Sequence, residues 1–179
     1  MNIRTVRSAG FLPEISFAVK CLLIANTVVF LVSLVFGRQV IAFFGLTPSL
    51  VWRGALWQPV TYLFLHGGVF HLLFNMLVLW MFGTTLEATW GLRRFVRYYA
   101  LCGIGAGILN TVMTPSSAIP IVGSSGAIYG LLLAFGVLFP NQLIYFWGIF
   151  PIRAKYFVVI IGAIEFLTSV SASRSGVAH

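Results

Sequence analysis

Long apolar runs, separated by short connections that carry most of the charge, set the layout of this chain. The run FAVKCLLIANTVVFLVSLVF, residues 17–36, follows a polar, basic segment at residues 1–16. At about 20 residues it is long enough to cross a bilayer core of about 30 Å. A cleaved signal peptide would have an apolar core of only about 7–15 residues and an A-x-A-like site; this run is longer and ends in VFGRQV, which favours an uncleaved first span. Tyr62 to Phe82 predicts a second span and Leu101 to Met113, continuing the apolar Tyr98 to Ala100, a third. Ser125 to Phe139 predicts a fourth and Tyr156 to Ala172 a fifth, with Glu165 inside it. The fourth, at about 15 residues, is short for a full crossing, so its start is expected below the membrane surface. Gly176, Val177 and Ala178 resemble the opening of another small-residue helix, a sixth span begun at the C-terminus.

The connections differ in character. Arg38 to Thr61 mixes Phe43, Phe44, Trp52 and Trp57 with Gly, Pro and Arg, a composition suited to a partly embedded interfacial segment. GTTLEATWGLRRFVRYY, after Phe82, reads as a loop with Glu87 and three arginines, and residues 140–155 as a turn. Gly103, Gly105, Ala106 and Gly107 make the third span a surface for close helix approach in lipid.

Composition turns this pattern into a class. The chain has 179 residues, 60% hydrophobic and 8% charged, with a mean hydropathy of +1.02. A soluble domain carries about 25% charge, so this is an all-α membrane protein, a polytopic helical bundle with residues 1–179 as one domain. Only Glu14, Glu87 and Glu165 are acidic, and the net charge is +8. The basic residues are spread through connections rather than gathered on one face, which speaks against nucleic acid and for membrane topology. With the N-terminus inside, interior segments receive Arg4, Arg7, Arg93, Arg94, Arg97, Arg153 and Lys155, against Arg38, Arg53 and Arg174 outside. The start of the fourth span then faces the exterior, as does the start of the second. Cys21 and Cys102 fall within apolar stretches and read as small core residues.

Candidate chemistry concentrates in IVGSSGAIYGLLL, residues 121–133. Ser125 opens an apolar helix between Gly123 and Gly126, with Tyr129 on the same face, a setting for a nucleophile or for a helix cap. His66, His71 and Asn75 in the second span need partners or water if buried in a membrane. At about 100° per residue, His71 and Asn75 share one helical face, as an oxyanion hole requires, whereas His66 belongs to the Gly67-Gly68 lead-in. Singly, each residue is more often structural than catalytic. A metal site from His66 and His71 is disfavoured by their spacing and the missing third ligand, and no cofactor is expected.

The combination is more specific than its parts. Gly123-Ser124-Ser125-Gly126 followed by Tyr129 resembles the GxSG nucleophile motif of rhomboid intramembrane serine proteases, and His66, His71 and Asn75 resemble that family's second-span signature. The resemblance implies a serine–histidine dyad. Ser125 would attack a peptide carbonyl within the membrane, and a sixth-span histidine would take its proton and pass it to the leaving amine. Tyr129 would stack on that histidine, while His71, Asn75 and the Ser125 amide would stabilise the oxyanion. His66 would sit at the loop edge, structural or aiding water access. Ala178-His179 fits the start of the family's A-H-x-x-G run, so His179 is either the base or its upstream neighbour. Where the family often has Trp-Arg, this chain has Trp57-Gln58, which removes a cation from the embedded segment. Glu87 is expected to close the loop after the second span by hydrogen bonds; for Glu165 the bland reading is a packed or water-reaching carboxyl.

The expected function is hydrolysis of single-span membrane proteins at the exterior side of a plasma membrane, with the N-terminus cytoplasmic and the lipid bilayer as the other partner. A non-catalytic relative that binds transmembrane helices is the alternative, and a small transporter or channel ranks below both because the spans are apolar away from one pocket.

Overall fold

The computed structural model describes residues 14–146 and 150–175, with the side chains of residues 145, 146, 150 and 165–175 outside the description. Gly176 to His179, where a sixth span was expected to begin, lie outside the described residues, as do residues 1–13 of the N-terminal segment. Two compact units, Met1–Leu131 and Leu132–His179, divide the chain.

The first unit begins with α1, Phe17–Phe36, whose bounds are those of the apolar run. Short helices α2 (Arg38–Phe44), α3 (Pro48–Val51) and α4 (Gln58–Thr61) fill the aromatic connection. A 3-10 turn, Tyr62–Phe64, and an extended lead-in then precede α5, Val69–Val78. The second span is therefore displaced from its expected position. Its helix starts at Val69 and passes through a π-helical turn, Leu79–Gly83, into α6, Thr84–Trp90. Gly83 does not end it, because its missing side chain serves packing: a Cβ there would lie 3.0 Å from Val19 Cγ2 and 3.3 Å from Phe95 Cζ. The expected loop shrinks to Gly91, whose φ of 78° reverses the chain into α7, Leu92–Met113. Arg93, Arg94 and Arg97 thus lie on the first turns of a helix rather than in a loop.

Glu87 does not close a loop either. It is buried, and its carboxylate accepts from Ala18 N–H at 3.0 Å, Val19 N–H at 3.1 Å and the Ser16 hydroxyl. These amides belong to the first turn of α1, where helical partners are lacking and the helix dipole favours negative charge. One acidic residue thereby fastens the start of α1 to α6. Cys21 is exposed, which corrects its expected place in the core, whereas Cys102 packs against α8.

The aromatic connection is anchored without the missing cation. Buried Gln58 accepts from Thr47 N–H at 2.9 Å and donates to Phe43 O at 3.3 Å, and Trp57 Nε1 donates to the same oxygen at 2.9 Å. Ser49 N–H donates to Ser117 O at 3.1 Å and Trp52 Nε1 to Thr111 O at 3.3 Å, docking the segment on the end of α7 and the loop beyond. Leu46, Tyr62 and Leu63 form a buried cluster beneath it, with Ile104 and Ile121 packed alongside.

Helix α8, Ser125–Leu138, has 14 residues, close to the expected short fourth span. In the second unit, residues 140–155 are more than a turn. Strands β1, Leu143–Phe146, and β2, Phe150–Arg153, pair antiparallel, with Ile144 opposite Ile152. Helix α9, Ala154–Ser175, starts two residues before the expected fifth span and carries Glu165, whose side chain is outside the description. Phe17–Phe36 and the composite helix Val69–Trp90 are long and apolar enough to cross a bilayer. Phe17, Leu34 and Val35 of α1 point outward, a surface matched to hydrocarbon rather than water.

Candidate active site

Three backbone contacts shape the turn that leads into α8. Ile121 exchanges two hydrogen bonds with Leu46, its N–H donating at 2.8 Å and its carbonyl accepting at 2.9 Å, and Gly123 N–H donates to Tyr62 O at 3.0 Å. Gly123 has φ +125°, and a Cβ there would lie 2.8 Å from His71 Cε1 and 3.0 Å from His71 Nε2. Both the dihedral and the neighbour demand glycine.

Ser124 takes the helix-cap position. Its carbonyl accepts from Ile128 N–H at 2.9 Å, the first hydrogen bond of α8. Ser125 is the first helical residue and is half-buried. Of the two uses open to Ser125 in the sequence, capping therefore falls to its neighbour.

The second-span residues face this turn from below. His66 lies in the non-helical lead-in before α5, as its helical angle required, and is buried, 3% exposed. His71 stands in the first turn of α5 and Asn75 one turn on. The His66 and His71 rings meet edge to face, centroids 5.2 Å apart at 70°. His66 Nε2 is 3.5 Å from Ser124 Oγ. Asn75 is buried and donates one amide hydrogen to His71 O at 3.0 Å, so it is tied to the histidine through the backbone.

The third span supplies the wall. Tyr62 donates its hydroxyl to Gly103 O at 2.6 Å while its ring lies against Gly107, where a Cβ would come within 2.9 Å of Cε1. A Cβ at Gly126 would lie 2.5 Å from Ala106 Cβ, and one at Gly130 would lie 2.4 Å from Cys102 Sγ. Gly126 thus serves contact between α7 and α8 rather than open space beside the hydroxyl. Gly105 faces outward with nothing near it, so the close-packing surface of α7 is Gly103, Ala106 and Gly107.

The structure brings His66, His71, Gly123 and Ser124 together, with Ser125 next in sequence and Tyr129 half-buried one turn along α8. His179 lies outside the described residues. Sequence reasoning overlooked Ser124 and Tyr62. The doubled serine after Gly123 was the available signal for the first; Tyr62 has none, since its role depends on contacts about 40 and 60 residues away. Among the described residues no three His, Cys, Asp or Glu side chains converge as a metal site.

A family model described as "Rhomboid domain" matches residues 53–179, more than half of the chain. The chain is similar to Rhomboid protease GluP of Bacillus subtilis (strain 168), 40% identical over 95 residues, 53% of this chain and 18% of the relative. It is similar to Putative rhomboid protease YdcA of the same organism, 42% identical over 94 residues, 51% of this chain and 47% of the relative. RHOMBOID-like protein 5 of Arabidopsis thaliana is 31% identical over 116 residues, 65% of this chain and 36% of the relative. The chain thus spans less than half the length of each of these relatives. With two apolar membrane-length helices among the described residues, a mostly helical architecture and a family model matched along residues 53–179, the chain belongs to the rhomboid family, whose members are embedded in membranes.

Proposed function

We propose that the chain is an intramembrane serine endopeptidase with Ser125 as nucleophile, acting on single-span membrane proteins. The observation that carries the reading is the division of labour between the paired serines. Ser124 takes the cap position and is fully buried, while Ser125 is half-buried at the first turn of α8, two residues from a glycine against which His71 is pressed. The relatives named as proteases support the reaction class.

In this mechanism the Ser125 hydroxyl attacks the scissile carbonyl as a histidine withdraws its proton. In this reading the base is a sixth-span histidine, for which His179 is the candidate in this sequence, and Tyr129 orients it. The carbonyl oxygen becomes an oxyanion, which the Ser125 amide, His71 and Asn75 stabilise. Removing one such donor from other enzymes raises the barrier by about 2.7–4 kcal/mol. The base then protonates the leaving amine, and water hydrolyses the acyl-enzyme by the same steps in reverse roles. The short α8 and the non-helical lead-in before α5 give water a route to the site. The basic pattern supports a plasma-membrane orientation with the N-terminus cytoplasmic and Ser125 toward the exterior.

The test is cleavage of a single-span substrate in proteoliposomes. Wild type should cleave and Ser125→Ala should not. Binding of the substrate helix by a wild type that never cleaves it would overturn this reading in favour of a helix-binding relative.

A further inference from the structure

We propose that Ser124 and His66 form a buried positioning pair, Ser124 for the orientation of Ser125 and His66 for that of His71. The inference rests on the reading of Ser125 as nucleophile. Its starting point is that both residues bury polar atoms where water does not compete: Ser124 is 0% and His66 3% exposed. Their polar atoms, Oγ and Nε2, lie 3.5 Å apart across 58 positions of sequence. A buried hydroxyl and a buried imidazole each need partners; the Tyr99 hydroxyl also lies against Ser124 and the Phe64 backbone against His66, and the contact between Ser124 and His66 is the one that links the two segments. At 3.5 Å the contact is long, as hydrogen bonds in unliganded active sites often are before they tighten around substrate.

Position gives the pair its consequence. Ser124 is a cap residue, yet its side chain is directed at His66, in the lead-in to α5, and joins that lead-in to α8. Residue 124 shares a peptide bond with Ser125, so rotation at 124 re-aims the Ser125 amide that would face the oxyanion. The same turn is fastened one residue earlier, where Gly123 N–H meets Tyr62 O at 3.0 Å. Two attachments on consecutive residues, both to the 62–66 segment, fix the peptide plane rather than merely its place. The His66 and His71 rings meet edge to face, and Gly123 lies close to His71 Cε1 and Nε2. The His71 ring thus touches both a glycine of the turn and a histidine that Ser124 contacts. Neither partner touches the reacting atoms, so both act through others.

The experiment uses the chain in proteoliposomes, with wild type, Ser124→Ala, His66→Ala, the double variant, Ser124→Thr and Ser125→Ala. Rates are taken per folded molecule, with folding followed by thermal melting. Each single alanine variant should lower kcat about tenfold, the scale of one hydrogen bond, with KM unchanged. The double variant should be no slower than the slower single, and Ser124→Thr, which keeps the hydroxyl, should recover much of the loss. Additive losses of about a hundredfold in the double, an unchanged kcat in Ser124→Ala, or a loss confined to KM would each overturn the proposal. The chain holds three histidines, so nitrogen-15 histidine spectra give an activity-free readout: the His66 signals should move to a different tautomer balance in Ser124→Ala, and unmoved signals would overturn the pairing. A wild type that cleaves nothing, yet whose His66 signals respond to Ser124→Ala, would overturn the protease reading and the positioning role while retaining the contact.

Discussion

Two of the buried polar clusters among the described residues, at Glu87 and at the turn before α8, are built in opposite ways. At Glu87 a single carboxylate gathers three donors from the start of α1, two of them amides at 3.0 and 3.1 Å. At the turn before α8, polar groups are more numerous and more loosely joined: Ser124 and His66 at 3.5 Å, Asn75 donating an amide hydrogen to a backbone oxygen, and His71 beside Gly123 and the His66 ring. The first arrangement uses its hydrogen-bonding capacity on its own chain, which is what a fastener requires. The second keeps capacity in reserve, which is what a site that must receive charge in a transition state requires. Polar groups in a membrane protein are thus separable into structural and chemical sets by how completely they are already bonded.

Substitutions that separate stability from activity probe this contrast. The largest effect is expected from Gly123→Ala, which forces a side chain into a positive-φ position and against His71; kcat should fall about 10²–10³-fold, as on loss of an oxyanion donor, with a much smaller change in melting. Glu87→Ala should do the reverse. Losing a charge-assisted cap on α1 should cost about 2–4 kcal/mol in detergent unfolding, while kcat per folded molecule stays unchanged. Gly126→Ala, whose Cβ meets Ala106 at 2.5 Å, should lose about 1–3 kcal/mol by overpacking. Adding Ala106→Gly should return part of it, and absence of any recovery would break the assignment of Gly126 to the α7–α8 contact. Gln58→Ala should cost about 1–2 kcal/mol by leaving Thr47 N–H unpaired, seen as faster amide exchange at Thr47.

Some of this was legible in the sequence and some was not, for physical reasons. The bounds of α1 follow from an apolar run flanked by polar residues, with Gly37 at its end, and local composition suffices there. The second span was displaced because Gly83 and the polar Thr84, Thr85 and Glu87 read as a loop; their helix is secured by residues about 70 positions earlier. The β1–β2 hairpin was missed because a four-residue apolar run carries no period that separates strand from helix. In the site, spacing correctly placed His71 and Asn75 on α5 and His66 before it, and the glycines announced close approach. What spacing lacks is the identity of the neighbour. A Cβ at Gly126 would meet Ala106, and Ser124, which spacing did not single out, takes the cap position with its hydroxyl 3.5 Å from His66.

The proposed division of roles between the paired serines, Ser125 for chemistry and Ser124 for placement, is open to a direct chemical test. Reaction with a fluorophosphonate followed by peptide mapping tests it directly, since the reagent marks an activated serine. Label is expected on Ser125 and should disappear in Ser125→Ala; label on Ser124, or label that survives Ser125→Ala, would overturn the division.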